Sequence, residues 1–352
     1  MLRTLSILLV VSIFGGCATV KDADISLLET SKCSVEAINS DLYENKDTVE
    51  KGLIWCNTPF LRERPNIENM LGKGFDIAKE GYIPALAGAL VLQDIESLKK
   101  GYLPQHYFSK PKRLVRLDNA CVNNGKNGFQ ARVYELRRKE TFDEIEAVVI
   151  AFSGTNDFDD WKSNLFGIYG QKHYRAAREY LIKYAKKYKR DGFKVIVTGF
   201  SLGGGLVVHV MNHEETESIV DEGWAFNASP HTYLGFKKLP VNHKLYSAYH
   251  ENEILSIARW LLSPLYNYSR IPSSDIKTFD NVNLIDANPF YGHSRWVLAR
   301  QFLHIADASK YLEGTVEQNE LTEPMEILDK SSSVGCDEEK LKRTLKQWEN
   351  KK

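Results

Sequence analysis

The sequence predicts an α/β fold with a largely parallel central sheet, and three observations carry that prediction. A short continuous apolar run at 147–152 and a second strand-like stretch at 193–198, centred on Val195-Ile196-Val197, have the length and composition of central strands. Between them Tyr174, Ala177, Leu181, Tyr184, Ala185 and Tyr188 recur at three- and four-residue steps, the period of an amphipathic helix. Strand and helix then keep alternating, through a helix after residue 202, a strand around Trp224-Ala225-Phe226 and another at 244–249. Such alternation favours parallel strands with helices on both faces of the sheet.

Composition narrows the field. The 352 residues suffice for one large domain with extensions or for two modest ones. Apolar residues make up 43% and charged residues 26%, which suits a globular chain and not a disordered one. Lys plus Arg and Asp plus Glu are equal at 46 each, so the basic excess expected of a nucleic-acid binder is missing and no such partner is expected.

The start of the chain has its own pattern. Arg3 is followed by an apolar run over residues 5–14, interrupted by Ser6 and Ser12, and then by Gly15, Gly16 and Cys17. This is the layout of a secretory signal, and the run is too short for a comfortable permanent span. The small pair before a cysteine resembles the bacterial lipoprotein signal, although Phe14 stands where Leu is usual. The resemblance implies lipidation of Cys17, with residues 1–17 as signal peptide and the mature chain anchored to a membrane. Ala18 in place of Asp implies the outer membrane. An ordinary cleaved signal and an uncleaved anchor are the alternatives. Setting Cys17 aside leaves Cys33, Cys56, Cys121 and Cys336, enough for two disulfides in an oxidising compartment. Three pairings are open, of which Cys33 with Cys56 is the local one; none of the spacings is that of a zinc site.

Three further segments follow the signal. Residues 18–65 are polar and mixed and form an N-terminal extension; 66–305 form the main domain; 306–352 form a tail. Residues 67–100 read as helices, most apolar at 83–92. Gly81-Tyr82-Ile83-Pro84 is echoed by Gly101-Tyr102-Leu103-Pro104, and the echo reads as two similar turns. Residues 129–136 alternate like a half-buried strand. Residues 294–306 read as a late helix capped by Ser294, 317–335 as a loop, and 337–352 as a helix docking through Leu341, Leu345 and Trp348.

The chemistry centres on Gly199-Phe200-Ser201-Leu202-Gly203, a G-x-S-x-G sequence between the apolar strand 193–198 and a helix. In that context it is the nucleophile elbow of the α/β-hydrolase fold, with Ser201 held at a sharp, exposed turn. Chance alone produces such a pentapeptide in about one chain in ten of this length, so the flanking Val195-Ile196-Val197 and Leu206-Val207-Val208 decide the matter. A phosphate-cradling turn is the competing reading. No Lys follows the glycines and the G-x-G-x-x-G spacing is missing.

A second segment lies about fifty residues upstream: Ala151-Phe152-Ser153-Gly154-Thr155, then Asp160-Trp161-Lys162-Ser163-Asn164-Leu165. Together with Thr198-Gly199-Phe200-Ser201-Leu202-Gly203-Gly204, it resembles the class 3 (fungal lipase-like) family over roughly residues 70–305. That family carries F-R-G-[ST], D/N-W-x-x-[ND]-L and T-G-H-S-L-G-G in this order. Ser153 replaces the usual Arg and Phe200 the usual His, and neither change removes a catalytic group. The resemblance implies that Thr155 supplies one oxyanion-hole donor. The second should be the backbone N–H of Leu202, the residue after the nucleophile. It also implies a lid over residues 156–166, where Phe158, Trp161, Leu165 and Phe166 are spaced to share a face.

The acid and base should follow Ser201 in that order. His293, in Tyr291-Gly292-His293-Ser294, lies late enough and matches the family's late histidine; His304 lies inside the late helix. The family places its acid just after a strand in N-D-x-V, which Asn252-Glu253-Ile254-Leu255 matches with Glu for Asp. Glu253 is therefore the expected acid, with Glu251, Asp280 and Asp286 as alternatives. His209 and His213 are four apart, but Val210 stands where a zinc protease motif needs Glu, so an ordinary helix face is expected. The expectation is a serine ester hydrolase acting on lipid or phospholipid esters without a cofactor, through an acyl-enzyme. A non-catalytic lipoprotein that keeps the fold for binding, and a thioesterase or acyltransferase with the same triad, are the rivals.

Overall fold

The two apolar runs form neighbouring strands in the middle of one mixed sheet. The computed structural model describes Arg62 and residues 73–100, 108, 110–123, 129–154, 170–230, 232, 244–250, 253–256, 276–280, 289–317 and 320–328. Among these, the strands are β1 (Leu114–Arg116), β2 (Val122–Asn123), β3 (Gln130–Arg137), β4 (Ile145–Phe152), β5 (Lys194–Phe200), β6 (Glu222–Phe226), β7 (Lys244–Tyr249) and β8 (Ile276–Asp280). The helices are α1 (Lys73–Lys100), α2 (Gly170–Arg190), α3 (Leu202–Asn212), α4 (Pro289–His293), α5 (Arg295–Leu312) and α6 (Glu323–Leu328). The eight-stranded sheet runs β1-β3-β4-β5-β6-β7-β8, with β2 also paired to β3. Strands β4 to β8 pair in parallel, and β1, β2 and β4 run antiparallel to β3. The chain is thus a mixed α/β protein with a mostly parallel sheet.

The alternation of side chains along each strand divides the core in two. Val149, Ala151, Ile196, Phe200, Trp224, Phe226 and Ala248 face α1 and α5 on one side. Val148, Ile150, Phe152, Val195, Val197 and Ala225 face α2 and α3 on the other. A parallel strand covered on both faces needs apolar residues at successive positions, which is why 147–152 of β4 and 195–197 of β5 are apolar without interruption. The same cover explains β3. Its expected half-buried alternation is replaced by burial along most of its length. Even Arg132 is buried there, donating from Nε to the Val91 carbonyl of α1 at 3.0 Å.

Two local readings are corrected. Residues 81–84 form no turn: α1 continues through Gly81 and Pro84. Pro84 cannot donate to the Glu80 carbonyl, yet its own carbonyl accepts from Thr198 Oγ1 at 2.8 Å, tying the helix to β5. Gly81 lets the helix lie on the sheet, since a Cβ there would sit 2.3 Å from Trp224 Cζ3. The echoing residues 101–104 lie outside the described residues. Within the stretch read as loop, residues 323–328 are helical, and α6 buries Met325, Ile327 and Leu328 in the core. Tertiary contacts hold it there: Glu323 accepts from Arg113 Nε and from Tyr82 Oη, each at 2.8 Å.

The late helix, expected over 294–306, is longer: α5 runs on to Leu312, and Ser294 occupies its N-cap position without a side-chain capping bond. Arg62, in the segment read as an extension, is 5% exposed and forms a buried ion pair with Asp307 of α5 at 2.7 Å. Asp307 also accepts from Thr322 Oγ1 at 2.5 Å, so one carboxylate joins residues from three parts of the chain. Cys121 is disulfide-bonded. Cys17 and the signal, Cys33, Cys56, Cys336, the 156–166 segment and the docking helix at 337–352 all lie outside the described residues. Among the described residues no helix is long and apolar enough to cross a membrane.

Candidate active site

The elbow forms because three backbones meet where side chains would collide. Strand β5 ends at Phe200 and α3 begins at Leu202, leaving Ser201 alone in the turn with φ 56° and ψ −120°. That combination lies outside the regions comfortable for an L-residue, and such strain persists only where the surroundings enforce it. Here the flanking glycines permit it. A Cβ on Gly199 would sit 2.5 Å from the Gly203 carbonyl carbon, and one on Gly203 would sit 2.4 Å from the Phe152 carbonyl oxygen. Ser201 N–H donates to the Phe226 carbonyl at 3.0 Å, and the Ser201 carbonyl accepts from Ser229 N–H at 2.9 Å.

His293 and Glu253 come to this serine from other loops at the same edge of the sheet, beyond the C-terminal ends of the parallel strands. Ligand sites of open α/β sheets lie at that edge. His293 closes α4, and its Nε2 lies 2.9 Å from Ser201 Oγ. Glu253 follows β7, and its Oε2 lies 2.5 Å from His293 Nδ1. The Glu253 side chain is fully buried while the imidazole keeps 16% of its surface exposed. Glu253 Oε2 also accepts from Leu255 N–H at 2.9 Å, and Ile254 N–H donates to the Pro289 carbonyl at 3.0 Å. The Glu253 loop is therefore bonded directly to the helix that carries His293. An acceptor-only carboxylate at Nδ1 selects the tautomer with its proton there, leaving Nε2 free to accept from the serine hydroxyl.

Of the residues expected from the sequence, the structure thus brings Ser201, Glu253 and His293 into one hydrogen-bonded series. Leu202 opens α3, so its N–H has no intrahelical partner and lies next to the serine. Thr155 lies outside the described residues. Gly154 before it is packed against the elbow, since a Cβ there would sit 3.2 Å from Ser201 Cβ. Glu251 and Asp286 lie outside the described residues, and Asp280 ends β8.

His304, His209 and His213 take no part in this series. His304 is buried in α5, and burial, helped by the nearby Arg300 charge, holds its imidazole well below its ordinary range. His209 and His213 do share a face of the α3 region, with ring centroids 5.0 Å apart. His209 lies 2.8 Å from Arg178 Nη1 through Nε2 and 2.7 Å from the Thr232 carbonyl through Nδ1. A carbonyl needs a donor and a guanidinium needs an acceptor, so this imidazole is neutral with its proton on Nδ1. Burial accordingly pushes it down to about 3. Among the described residues no cluster of three or more His, Cys, Asp or Glu is arranged to hold a metal ion.

Sequence reasoning missed Asn227. It is fully buried at the end of β6 with φ 43°. Its Nδ2 donates to the Gly292 carbonyl at 2.9 Å and the His293 carbonyl at 3.3 Å, and its Oδ1 accepts from His250 N–H at 2.9 Å. The signal available was an Asn directly after a buried strand in Phe226-Asn227-Ala228-Ser229-Pro230, which reads as an ordinary turn.

Two comparisons with known proteins bear on this site. An Extracellular phospholipase A1 of Serratia liquefaciens is 34% identical to the chain over 93 residues. The shared stretch covers 26% of this chain and 25% of that relative, so the chain spans about a quarter of the relative's length. A phospholipase-like family, described as the Tle-like phospholipase domain, matches residues 85–229, a stretch that contains the elbow and stops before Glu253 and His293. Over the part of the chain that builds β3 to β6 and the serine turn, this protein is similar to phospholipase domains.

Proposed function

We propose that the chain is a serine ester hydrolase of α/β-hydrolase type that cleaves lipid esters, as a lipase or phospholipase A does. The observation that carries the reading is the series Ser201 Oγ, His293 Nε2, His293 Nδ1 and Glu253 Oε2, with steps of 2.9 and 2.5 Å on either side of the imidazole. Nucleophile, base and orienting acid stand in hydrogen-bond contact around a strained, glycine-flanked serine. The likeness to phospholipase domains supplies the substrate class.

In this mechanism His293 Nε2 takes the Ser201 proton as Oγ attacks the ester carbonyl carbon. Glu253 keeps the imidazole in its Nδ1–H tautomer and stabilises the imidazolium that forms. Negative charge on the carbonyl oxygen is met by the Leu202 N–H and by Thr155. Collapse of the tetrahedral intermediate breaks the bond to the leaving alcohol, which receives the proton from Nε2. Water, deprotonated by the same nitrogen, then releases the acid from the acyl-enzyme and restores the serine. Anchoring through Cys17 at the outer membrane places phospholipid next to the site.

The test is direct. Wild type should be labelled at Ser201 by a fluorophosphonate and should hydrolyse short- and long-chain acyl esters. Ser201→Ala should remain folded by circular dichroism and lose both properties. An unlabelled wild type is the result expected of a binding module built on the same fold, and it would end the hydrolase reading. Turnover of thioesters or acyl transfer in preference to oxygen-ester hydrolysis would move the substrate class while leaving the site intact.

A further inference from the structure

We propose that Asn227 is a positioning residue of the proposed hydrolase: its side-chain amide sets His293 and Glu253 relative to each other and to Ser201. This rests on the Ser201–His293–Glu253 reading above. The segment 226–229 touches the loops of all three groups. Its backbone holds both sides of Ser201, through the Phe226 carbonyl and the Ser229 N–H. The Asn227 side chain holds the other two loops.

On the base side, α4 is a five-residue helix that ends at His293. The last carbonyls of a helix have no partner within it. Asn227 Nδ2 donates to two of them, at Gly292 and at His293 itself. On the acid side, β6 and β7 pair in parallel up to Phe226 and Ala248, and Asn227 N–H continues the ladder by donating to the Ala248 carbonyl at 2.8 Å. The backbone of Asn227 then turns away at φ 43°, and its Oδ1 takes over as acceptor for His250 N–H. A side-chain amide here replaces the next peptide of the ladder, a substitution Asn makes readily in local turns. His250 in turn bonds the acid loop, its carbonyl accepting from Glu253 N–H at 3.3 Å.

The two halves of this arrangement also touch. A Cβ on Gly292 would sit 2.6 Å from His250 Nδ1, so the ring of the acid-loop residue packs against the backbone beside His293. One buried amide therefore cross-links the residue that leads to the acid and the residue that carries the base. It touches no reacting atom. Its effect must pass through the 2.9 Å contact between His293 Nε2 and Ser201 Oγ.

Two variants separate this role from a merely structural one. Asn227→Gly keeps the main-chain bond to Ala248, tolerates the positive φ better than any other residue, and removes the amide. Asn227→Asp keeps the acceptor for His250 and turns the donors to Gly292 and His293 into an acceptor facing two carbonyls. The assay is kcat and KM on p-nitrophenyl butyrate, with kcat expressed per serine titrated by a fluorophosphonate so that unfolded chains do not count. Both variants should lose about 10- to 100-fold in kcat, the size expected when a base is displaced by a fraction of an ångström to 1 Å. KM should stay within about twofold and the rate of serine labelling should fall with kcat. Asn227→Gly turning over at the wild-type rate per titrated serine, whatever its melting temperature, would overturn the proposal, because the amide would then matter only to stability. Asn227→Asp at the wild-type rate would do the same, and it decides the question if the glycine variant does not fold. A wild type that is neither labelled nor active instead removes the hydrolase reading on which the role rests.

Discussion

Replacing Glu253 with Gln removes one charge from a fully buried site and almost no volume. The size of the loss depends on which end of the new amide meets His293. Glu253 Oε2 accepts from two donors, His293 Nδ1–H at 2.5 Å and Leu255 N–H at 2.9 Å. The Leu255 amide is backbone and can only donate. An inverted Gln would put its NH2 against that N–H and leave two donors facing each other in a dry place. The amide oxygen should therefore occupy the Oε2 position and keep the imidazole in its working tautomer.

What remains is the loss of charge. An imidazolium and a carboxylate about 4 Å apart attract by roughly 4 kcal/mol at an effective dielectric constant of 20, which bounds the effect from above. The gap between a charge-assisted and a neutral hydrogen bond, about 1 kcal/mol, bounds it from below. The expected fall in kcat is thus about 5- to 1,000-fold, with KM little changed. The wrong tautomer in a serine-protease triad costs about 10,000-fold by comparison. Steady-state hydrolysis of p-nitrophenyl butyrate per titrated serine distinguishes these cases, with Ser201→Ala, expressed per mole of folded protein, as the floor. A loss under threefold would remove Glu253 from the mechanism. A loss of 10,000-fold would show that Leu255 does not orient the amide.

Other perturbations test the frame around the site. Gly203→Ala forces a Cβ to 2.4 Å from the Phe152 carbonyl oxygen, so the elbow must shift; serine labelling should fall by at least about 100-fold, and wild-type labelling would contradict the packing described. Gly81→Ala drives a Cβ into Trp224 and should lower the urea-unfolding free energy by about 2–3 kcal/mol or more; an unchanged midpoint would mean that α1 slides freely over β6. His209→Gln should flatten the acid side of the stability curve. The folded-state value of His209 is depressed to about 3, so its contribution is full above about pH 6.5 and is lost as pH falls towards 3, at up to about 1.4 kcal/mol per pH unit. Parallel urea midpoints for wild type and variant across that range would refute the neutral, Arg178-facing imidazole.

The sequence was most legible where structure is local. Strands β4 and β5 stand out by their apolar centres, and α2 stands out by its three- and four-residue steps, because a strand or a helix face is written in neighbouring residues. Pro84 misled in the opposite way. Its missing N–H argues for a turn, but α1 is held by the sheet beneath it, through Thr198 and the space that Gly81 leaves for Trp224. The six residues of α6 are too few to display a period. They are helical because Arg113 and Tyr82, more than 200 residues upstream, grip Glu323 and because the core receives Met325, Ile327 and Leu328.

The same divide runs through the site. Ser201 announces itself in five consecutive residues, and His293 follows from chain order together with the family resemblance. Glu253 rested on its offset after a strand; its burial and its bond from Leu255 are visible only in the fold. Asn227 is the extreme case, since its side-chain partners lie 23, 65 and 66 residues away. What places these groups together is the register of the sheet. Phe200 pairs with Phe226, and Phe226 with Ala248, so β5 and β6 end in one row, level with Ala248 near the end of β7. Ser201 and Asn227 each lie one step beyond it, and Glu253 lies five residues past Ala248. Phe200 and Phe226 stack with ring centroids 4.8 Å apart, and Phe302 of α5 packs edge-on to Phe226 at 5.2 Å. The row that closes the core is therefore the row that aims the site. A single-residue slip of β7 against β6 would carry the Ala248 and His250 partners away from Asn227, and Glu253 away from His293, with every motif in the sequence still intact.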